Sequence, residues 1–570
     1  MKKYLLIISL LFFYSGVKAS DRSGVKLDSL LTKQQTENLY VLAKVWGFLK
    51  YHHPDVAKGS SNFDGELFKI MQPISTAASV EKRNELLLNW INSLGDETGY
   101  KKAGELPGKD VHIKPNIGWI NNKLLFNEAV INKLNSIYEH RNRSDNAYIK
   151  LMPGVLNPNF DAEEKYKDMA GDDDGLRMLG LIRYWNIIEY FFPSKYLIKE
   201  NWDDLLREFI PAFAANRTSL GYKLNCLKLI NRIHDTHANI SGDKELGAYF
   251  GTNYTVVKAR MIEGKLIATL IVDDVLARRE TIQVGDEILT VNGKTIAQCY
   301  KEMEPILCAS NPSAADRNFA SAFLLRGSGD SLVITYNHDR MVKTGSLKLY
   351  PMHTVNAAAM KKYYEGPTYK LLNDSIGYIT LATIKATDLK TIFKTFENTR
   401  GIVIDIRNYP SEFMPFAMAE YIKPAASPFV RFTNGNIDNP GLFTYKYYTS
   451  NGSKNKNYYK GKIVMLVDER TQSQAEYTTM ALRSAPNAIV MGSQTAGADG
   501  NVSMIHFPGG FGSYISGIGV FYPDGRETQR IGIVPDIEVR PTVDGIKKGT
   551  DELLEKAMQY ISENKKVVKE

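Results

Sequence analysis

The 570-residue sequence predicts a multidomain α/β protein with a duplicated helical N-terminal region, a small β-barrel and a C-terminal layered α/β domain. Three observations predict this. One helical pattern recurs at a fixed offset of 139 residues. Alternating strand-like runs around an Asn-Gly turn occupy the middle. From Ser375 onward, apolar β-branched runs alternate with helical segments. The expected division is a leader at 1–19, a helical region with the first copy and a linker at 20–175, and the second copy at 176–248. The barrel then spans 249–352 and the α/β domain 353–570.

The leader reading rests on Lys2 and Lys3 followed by "YLLIISLLFFYSG", too short to span a bilayer, and on small residues before Ser20. It predicts an exported protein, periplasmic or extracellular, with no stable membrane span. The formal charge of +8 is spread along the chain, which argues against nucleic acid as a partner. Cys226, Cys299 and Cys308 are too few and too scattered for a disulfide scaffold or a zinc knuckle. No cofactor is expected.

In the repeat, "LAKVWGFLKYHHP" (42–54) matches "LIRYWNIIEYFFP" (181–193). The same offset pairs Asn62 with Asn201, Asp64 with Asp203, Leu88 with Leu227 and Asp96 with Asp235. Each copy reads as three amphipathic helices. At the end of the third helix the copies diverge: Asp96-Glu97-Thr98 stands opposite Asp235-Thr236-His237, and Gly95 opposite His234. A side chain present in one copy alone points to a special role for His237. The ordinary reading, a polar turn residue, stays open at this point. A metal site on His234, Asp235 and His237 lacks a motif to complete its ligand set. Between the copies, residues 99–175 look irregular, and "GDDDG" (171–175) reads as a linker or an exposed acidic loop.

In the middle, "IQVGDEILTVNGKTI" (282–296) carries a Gly-Asp turn, a strand and an Asn-Gly turn. It resembles the corresponding segment of PDZ domains, which add a peptide's C-terminal end as a strand at a sheet edge.

In the last domain, "IGYITLATI", "GIVIDIRN" and "KIVMLV" are strands, and "LKTIFKTFENTR" and "FMPFAMAEYI" are helices. "TQSQAEYTTMAL" places Ser473 between a strand and a helix. There it either caps the helix or acts as a nucleophile whose neighbouring N–H faces an oxyanion.

The order of parts and four motifs resemble the tail-specific, or C-terminal processing, serine peptidases, in the Ser–His branch that includes the tricorn core protease. The motifs are "GIVIDIRN", "SQAE" (473–476), "GSQTAGADG" (492–500) and "IGIVPDIEV" (531–539). The resemblance implies a ClpP/crotonase-like peptidase fold, polypeptide substrates taken through their C-terminal segments, and Ser473 as nucleophile. The family's alternative Lys base is replaced by Ala498, and the Thr236-His237 pair matches the Ser–His branch. His237 is then the base and Thr236 its orienting hydroxyl. The family's supporting Glu falls on Gln529, with Glu527 as a substitute. The oxyanion donors implied are the amides of Gln474 and Ser411, since Pro410 has no N–H. The function expected is an exported serine endopeptidase of unfolded or tail-presented polypeptides. The alternative is an inactive relative that binds peptides.

Overall fold

The computed structural model describes residues 22–143 and 145–563, so the expected leader lies outside the described residues. The repeat is two sets of three helices: Lys33–His52, Phe63–Ser75 and Val80–Ser93, then Asp174–Phe191, Trp202–Ala215 and Ser219–Asn231. Their caps recur at the same offset. Asn62 and Asn201 accept first-turn N–H groups of the second helices, as Ser79 and Thr218 do for the third. Trp46 Nε1 donates to the Phe63 carbonyl at 3.1 Å, and its counterpart Trp185 donates to Trp202 at 2.7 Å.

The two copies also bind each other. Lys44 of the first bonds Asp203 of the second at 2.6 Å, while Arg183 of the second bonds Asp64 of the first at 2.8 Å. Residues 44 and 183 are counterparts, as are 64 and 203. This exchange is that of an isologous, near-two-fold contact within one chain. Gly47 meets its own counterpart, Asn186, whose Nδ2 donates to the Ala43 carbonyl at 3.0 Å. A β-carbon at residue 47 would stand 1.8 Å from Asn186 Oδ1, so the close approach needs glycine.

The acidic run before the second copy is not a free linker. Asp173 caps the Asp174–Phe191 helix and accepts the Ser23 N–H at 2.7 Å. Asp174 accepts the Leu27 N–H at 2.9 Å and pairs with Arg177. Carboxylates at a helix start complement its unsatisfied N–H groups and its dipole.

The middle of the chain forms an antiparallel sheet in the order Met341–Lys348, Ser331–His338, Glu287–Val291, Lys265–Ile271, Val257–Ile262. The Asn292-Gly293 turn has positive φ at both residues, as a tight hairpin requires. Met341–Lys348 and Val257–Ile262 are the two edges of this path.

The last part centres on a six-stranded sheet: Tyr369–Asn373, Ile376–Thr380, Gly401–Asp405, Lys462–Val467, Ala488–Gly492, Ile537–Glu538. All neighbours after the first pair are parallel. Helices Gln474–Arg483 and Glu552–Ser562 pack on this sheet. The helix expected over 413–422 shrinks to Ala419–Ile422, and Pro415 contributes by disfavouring the α region at Met414, in what would be its first turn.

Two elements cross between the parts. Val111–Ile113, from the stretch that looks irregular in sequence, pairs with Phe443–Tyr445 of the last domain. A hairpin of Val502–Phe507 and Phe511–Ser516 leaves the α/β layer and buries Ile505, Phe507, Phe511 and Ile515 in the helical core. Burying four such side chains contributes roughly 6–12 kcal/mol, enough to fix one layer on the other. The hairpin's last residue, Ser516, ends beneath the 235–237 turn. Among the described residues, no helix is long and apolar enough to cross a membrane.

Candidate active site

Ser473 follows the Lys462–Val467 strand and stands at the N-cap of Gln474–Arg483, with φ 58° and ψ −122°. A non-glycine residue in this region costs ~1–3 kcal/mol and persists only where its surroundings impose it. Those surroundings are visible. The Ser473 N–H donates to the Ala498 carbonyl at 2.9 Å and to Glu476 Oε2 at 3.0 Å. Glu476 is fully buried and also accepts from Gly497 N at 2.7 Å, Ala498 N at 3.0 Å and the Thr495 hydroxyl. Burial pushes its carboxyl above the usual range, and these donors act against that shift. The result is a strained serine held between a helix start and the 495–498 loop. Gln474 is the first helical residue, so its N–H has no partner within the helix.

His237 lies in the turn after the Ser219–Asn231 helix. Its Nδ1 is 3.0 Å from Ser516 Oγ and 3.7 Å from Asp235 Oδ1. Ser516 Oγ donates to Asp235 Oδ1 at 3.1 Å, and the Ser516 N–H donates to Asp235 Oδ2 at 2.6 Å. A serine hydroxyl carries one proton, and here it goes to Asp235. The Nδ1 contact therefore has the imidazole as donor. That assigns the proton to Nδ1 and leaves a lone pair on Nε2, which is buried and has no hydrogen-bond partner. Burial holds the His237 pKa below its usual value, with Asp235 acting in the opposite direction.

The 495–498 loop bonds both Ser473 and the residue before His237. It accepts Ser473 N–H at Ala498 and the Thr236 hydroxyl at Ala496, the latter at 2.9 Å. Thr236 is thus engaged away from the imidazole, since its oxygen also accepts the Ser310 N–H at 2.8 Å. The orienting role expected of it does not fit this geometry, and Ser516 with Asp235 occupies the place beside Nδ1. Gln529 is buried with Nε2 unpartnered, and the Glu527 carboxylate takes the Tyr196 hydroxyl, so neither is a partner of the Thr236 hydroxyl. Ser411 is also corrected: its N–H donates to the Leu381 carbonyl at 2.9 Å and is not free for an oxyanion. His234 is half-exposed with φ 48° and approaches Glu200 at 3.9 Å. Among the described residues, no group of three or more His, Cys, Asp or Glu is placed to hold a metal ion.

With the geometry of this site established, comparison with known proteins identifies the domain. The sequence pattern of peptidase family S41 matches residues 375–539, which include Ser473, Glu476 and the 495–498 loop. The chain carries a serine-type peptidase domain of family S41. A protein of Chlamydia trachomatis serovar D is 23% identical over 193 residues, which is 33% of this chain and 30% of that protein's length. The chain therefore spans less than a third of this curated relative. The solved structure of mature CPAF covers 69% of this chain and 99% of its own at 13% identity, with a TM-score of 0.53. CPAF complexed with lactacystin gives 0.52, covering 68% of this chain and 98% of its own, also at 13% identity. At this identity the likeness speaks for the fold. That fold extends well beyond the S41 segment.

Proposed function

We propose that this chain is an exported serine endopeptidase acting on unfolded or tail-presented polypeptides, with Ser473 as nucleophile and His237 as general base. The observation that carries the reading is the placement of the His237 ring, whose Nδ1 meets Ser516 Oγ and whose buried Nε2, the atom a base needs, has no hydrogen-bond partner. Imidazole takes the proton from Ser473 Oγ as the hydroxyl attacks the scissile carbonyl, and returns it to the leaving amine. The Gln474 N–H, at the positive end of its helix, faces the developing oxyanion. Ser516 passes the field of Asp235 to Nδ1 and stabilises the imidazolium as it forms. Contacts between such a base and its nucleophile tighten in the substrate complex.

The sheet at 257–348 supports a PDZ-like role, in which the Val257–Ile262 edge pairs with a substrate's C-terminal segment. One observation favours the other reading, a peptide-binding protein without catalysis. Pro410 lacks an N–H and Ser411's is engaged, so the one donor expected from the strand beside Ser473 is missing. Ser473→Ala decides between them. The endopeptidase reading expects loss of all turnover on an unfolded protein substrate with Tm nearly unchanged. Turnover at the wild-type rate in this variant removes Ser473 from the mechanism.

A further inference from the structure

The chain leaves large aromatic side chains uncovered beside its nucleophile. Phe413 is 54% exposed and Phe416 is 39% exposed. Both follow the Gly401–Asp405 strand on the 408–416 loop. That loop is fastened to the residue after Ser473, since Gln474 Nε2 donates to the Glu412 carbonyl at 3.1 Å. Phe413 stacks on Tyr477 at 5.8 Å with an interplanar angle of 12°. Tyr477 lies one helical turn from Ser473, on the same face. Phe429 and Phe432 also pack on Tyr477, and Phe429 meets Phe416. The surface is therefore a supported aromatic wall, not a stray exposed residue. Apolar surface kept open in one continuous patch marks a binding face.

Topology says which part of a substrate meets it. The parallel strands run in the order Gly401–Asp405, Lys462–Val467, Ala488–Gly492. Ser473 follows the middle strand. The aromatic loop follows one neighbour, and the 495–498 loop, which holds Thr236, follows the other. The strand order thus holds Thr236, the residue before His237, on the side of Ser473 away from the aromatic loop. The leaving amine must face His237 to receive its proton. The acyl carbonyl stays on Ser473 at the Gln474 N–H, so the side chain next to that carbonyl projects toward the aromatic loop.

We propose that Phe413 and Phe416 form the subsite for the residue on the acyl side of the scissile bond, and that it selects a large apolar or aromatic side chain. This rests on the assignment of Ser473 as nucleophile. Buried apolar contact discriminates between side chains by about 10- to 200-fold, and a carboxylate facing the wall would lose its hydration without a partner.

The test uses the full chain and four peptidyl-aminocoumarin substrates that differ only in the acyl residue: Phe, Leu, Ala and Asp. Wild-type kcat/KM should be at least about tenfold higher for Phe and Leu than for Ala, with Asp lowest. Phe413→Ala and Phe416→Ser should each lower the Phe-to-Ala ratio by about tenfold. An Ala or Asp preference in the wild type overturns the proposal without any variant. So does a Phe-to-Ala ratio unchanged in both variants. Sedimentation covers the competing occupant: a dimer that Phe413→Asp converts to monomer with the ratio unchanged assigns the wall to a second copy and overturns the subsite. Fluorophosphonate labelling separates this from the parent reading. A wild type that labels at Ser473 but shows no aromatic preference sinks the subsite alone; one that neither labels nor cleaves sinks both.

Discussion

The turns at 95–98 and 234–237 close the third helix of each helical copy, and both are built on an Asp that accepts the N–H two residues on. Gly95 and His234 both have positive φ, 131° and 48°. Asp96 Oδ1 accepts the Thr98 N–H at 3.0 Å, and Asp235 Oδ1 accepts the His237 N–H at 3.0 Å. The surroundings differ. Asp96 and Thr98 are exposed, and the Asp96 carboxylate also takes the Thr98 hydroxyl at 2.7 Å. Asp235 is fully buried, because the 502–516 hairpin docks against the second copy and gives it both the N–H and the O–H of Ser516. In the proposed mechanism, an Asx turn common to both copies holds a base only where another domain covers it. The turn supplies the frame. Burial and the Ser516 hydroxyl are what the second copy adds.

The largest effect should come from giving the second turn the first turn's side chain. His237→Thr is expected to lower kcat/KM by about 10⁴–10⁶-fold, as removal of a triad member does, while the fold accepts it as the first copy accepts Thr98. Turnover assays paired with a melting curve check both halves.

Asp235→Asn keeps the turn acceptor and removes the charge. It is expected to cost about 100-fold in kcat, and to move the acid limb of the kcat/KM profile to lower pH. The sign follows from the site. Only neutral His237 is a base, and Asp235 raises its pKa against the downward effect of burial. Without the carboxylate the pKa falls further, so the neutral form persists to lower pH. An acid limb moving upward would show that Asp235 does not act through the imidazole.

Ser516→Ala removes the link between Nδ1 and Asp235. It should lower kcat by about tenfold with KM little changed, the pattern of a positioning residue. Equal losses in kcat and thermal stability would make Ser516 merely structural.

The smallest effects belong to the positions the comparison assigns to scaffold. His234→Gly copies Gly95 and should leave activity unchanged and Tm equal or slightly higher, since glycine adopts positive φ without strain. Asp96→Asn should leave kcat/KM unchanged and Tm within roughly 2 °C. Loss of activity in either variant would break the division between frame and chemistry.

Much of this was legible in sequence because its signals are local or periodic. The 139-residue offset located the helices, and even the caps Asn62 and Asn201 obey it. Period and β-branching marked the parallel strands, and the strand-to-helix position marked Ser473. What stayed hidden depends on contacts between distant segments. Ser516 lies 281 residues from Asp235 in a stretch with no distinguishing motif, and its role exists only once the hairpin docks. The Ser411 amide was offered to an oxyanion because nothing local shows that Leu381 accepts it. Thr236 stands next to His237 in sequence, but its hydroxyl turns toward the 495–498 loop. Val111–Ile113 reads as irregular because its pairing partner is more than 300 residues away.

The central claim is that Ser473 is activated by an imidazole whose free nitrogen is set by Ser516 and Asp235. Its most direct test is the second-order rate of fluorophosphonate labelling, with the modified peptide mapped, for the wild type and His237→Thr. The account predicts a label on Ser473 in the wild type and a rate lower by about 10³-fold or more in the variant. A label on another residue, or an unchanged rate in His237→Thr, would contradict it.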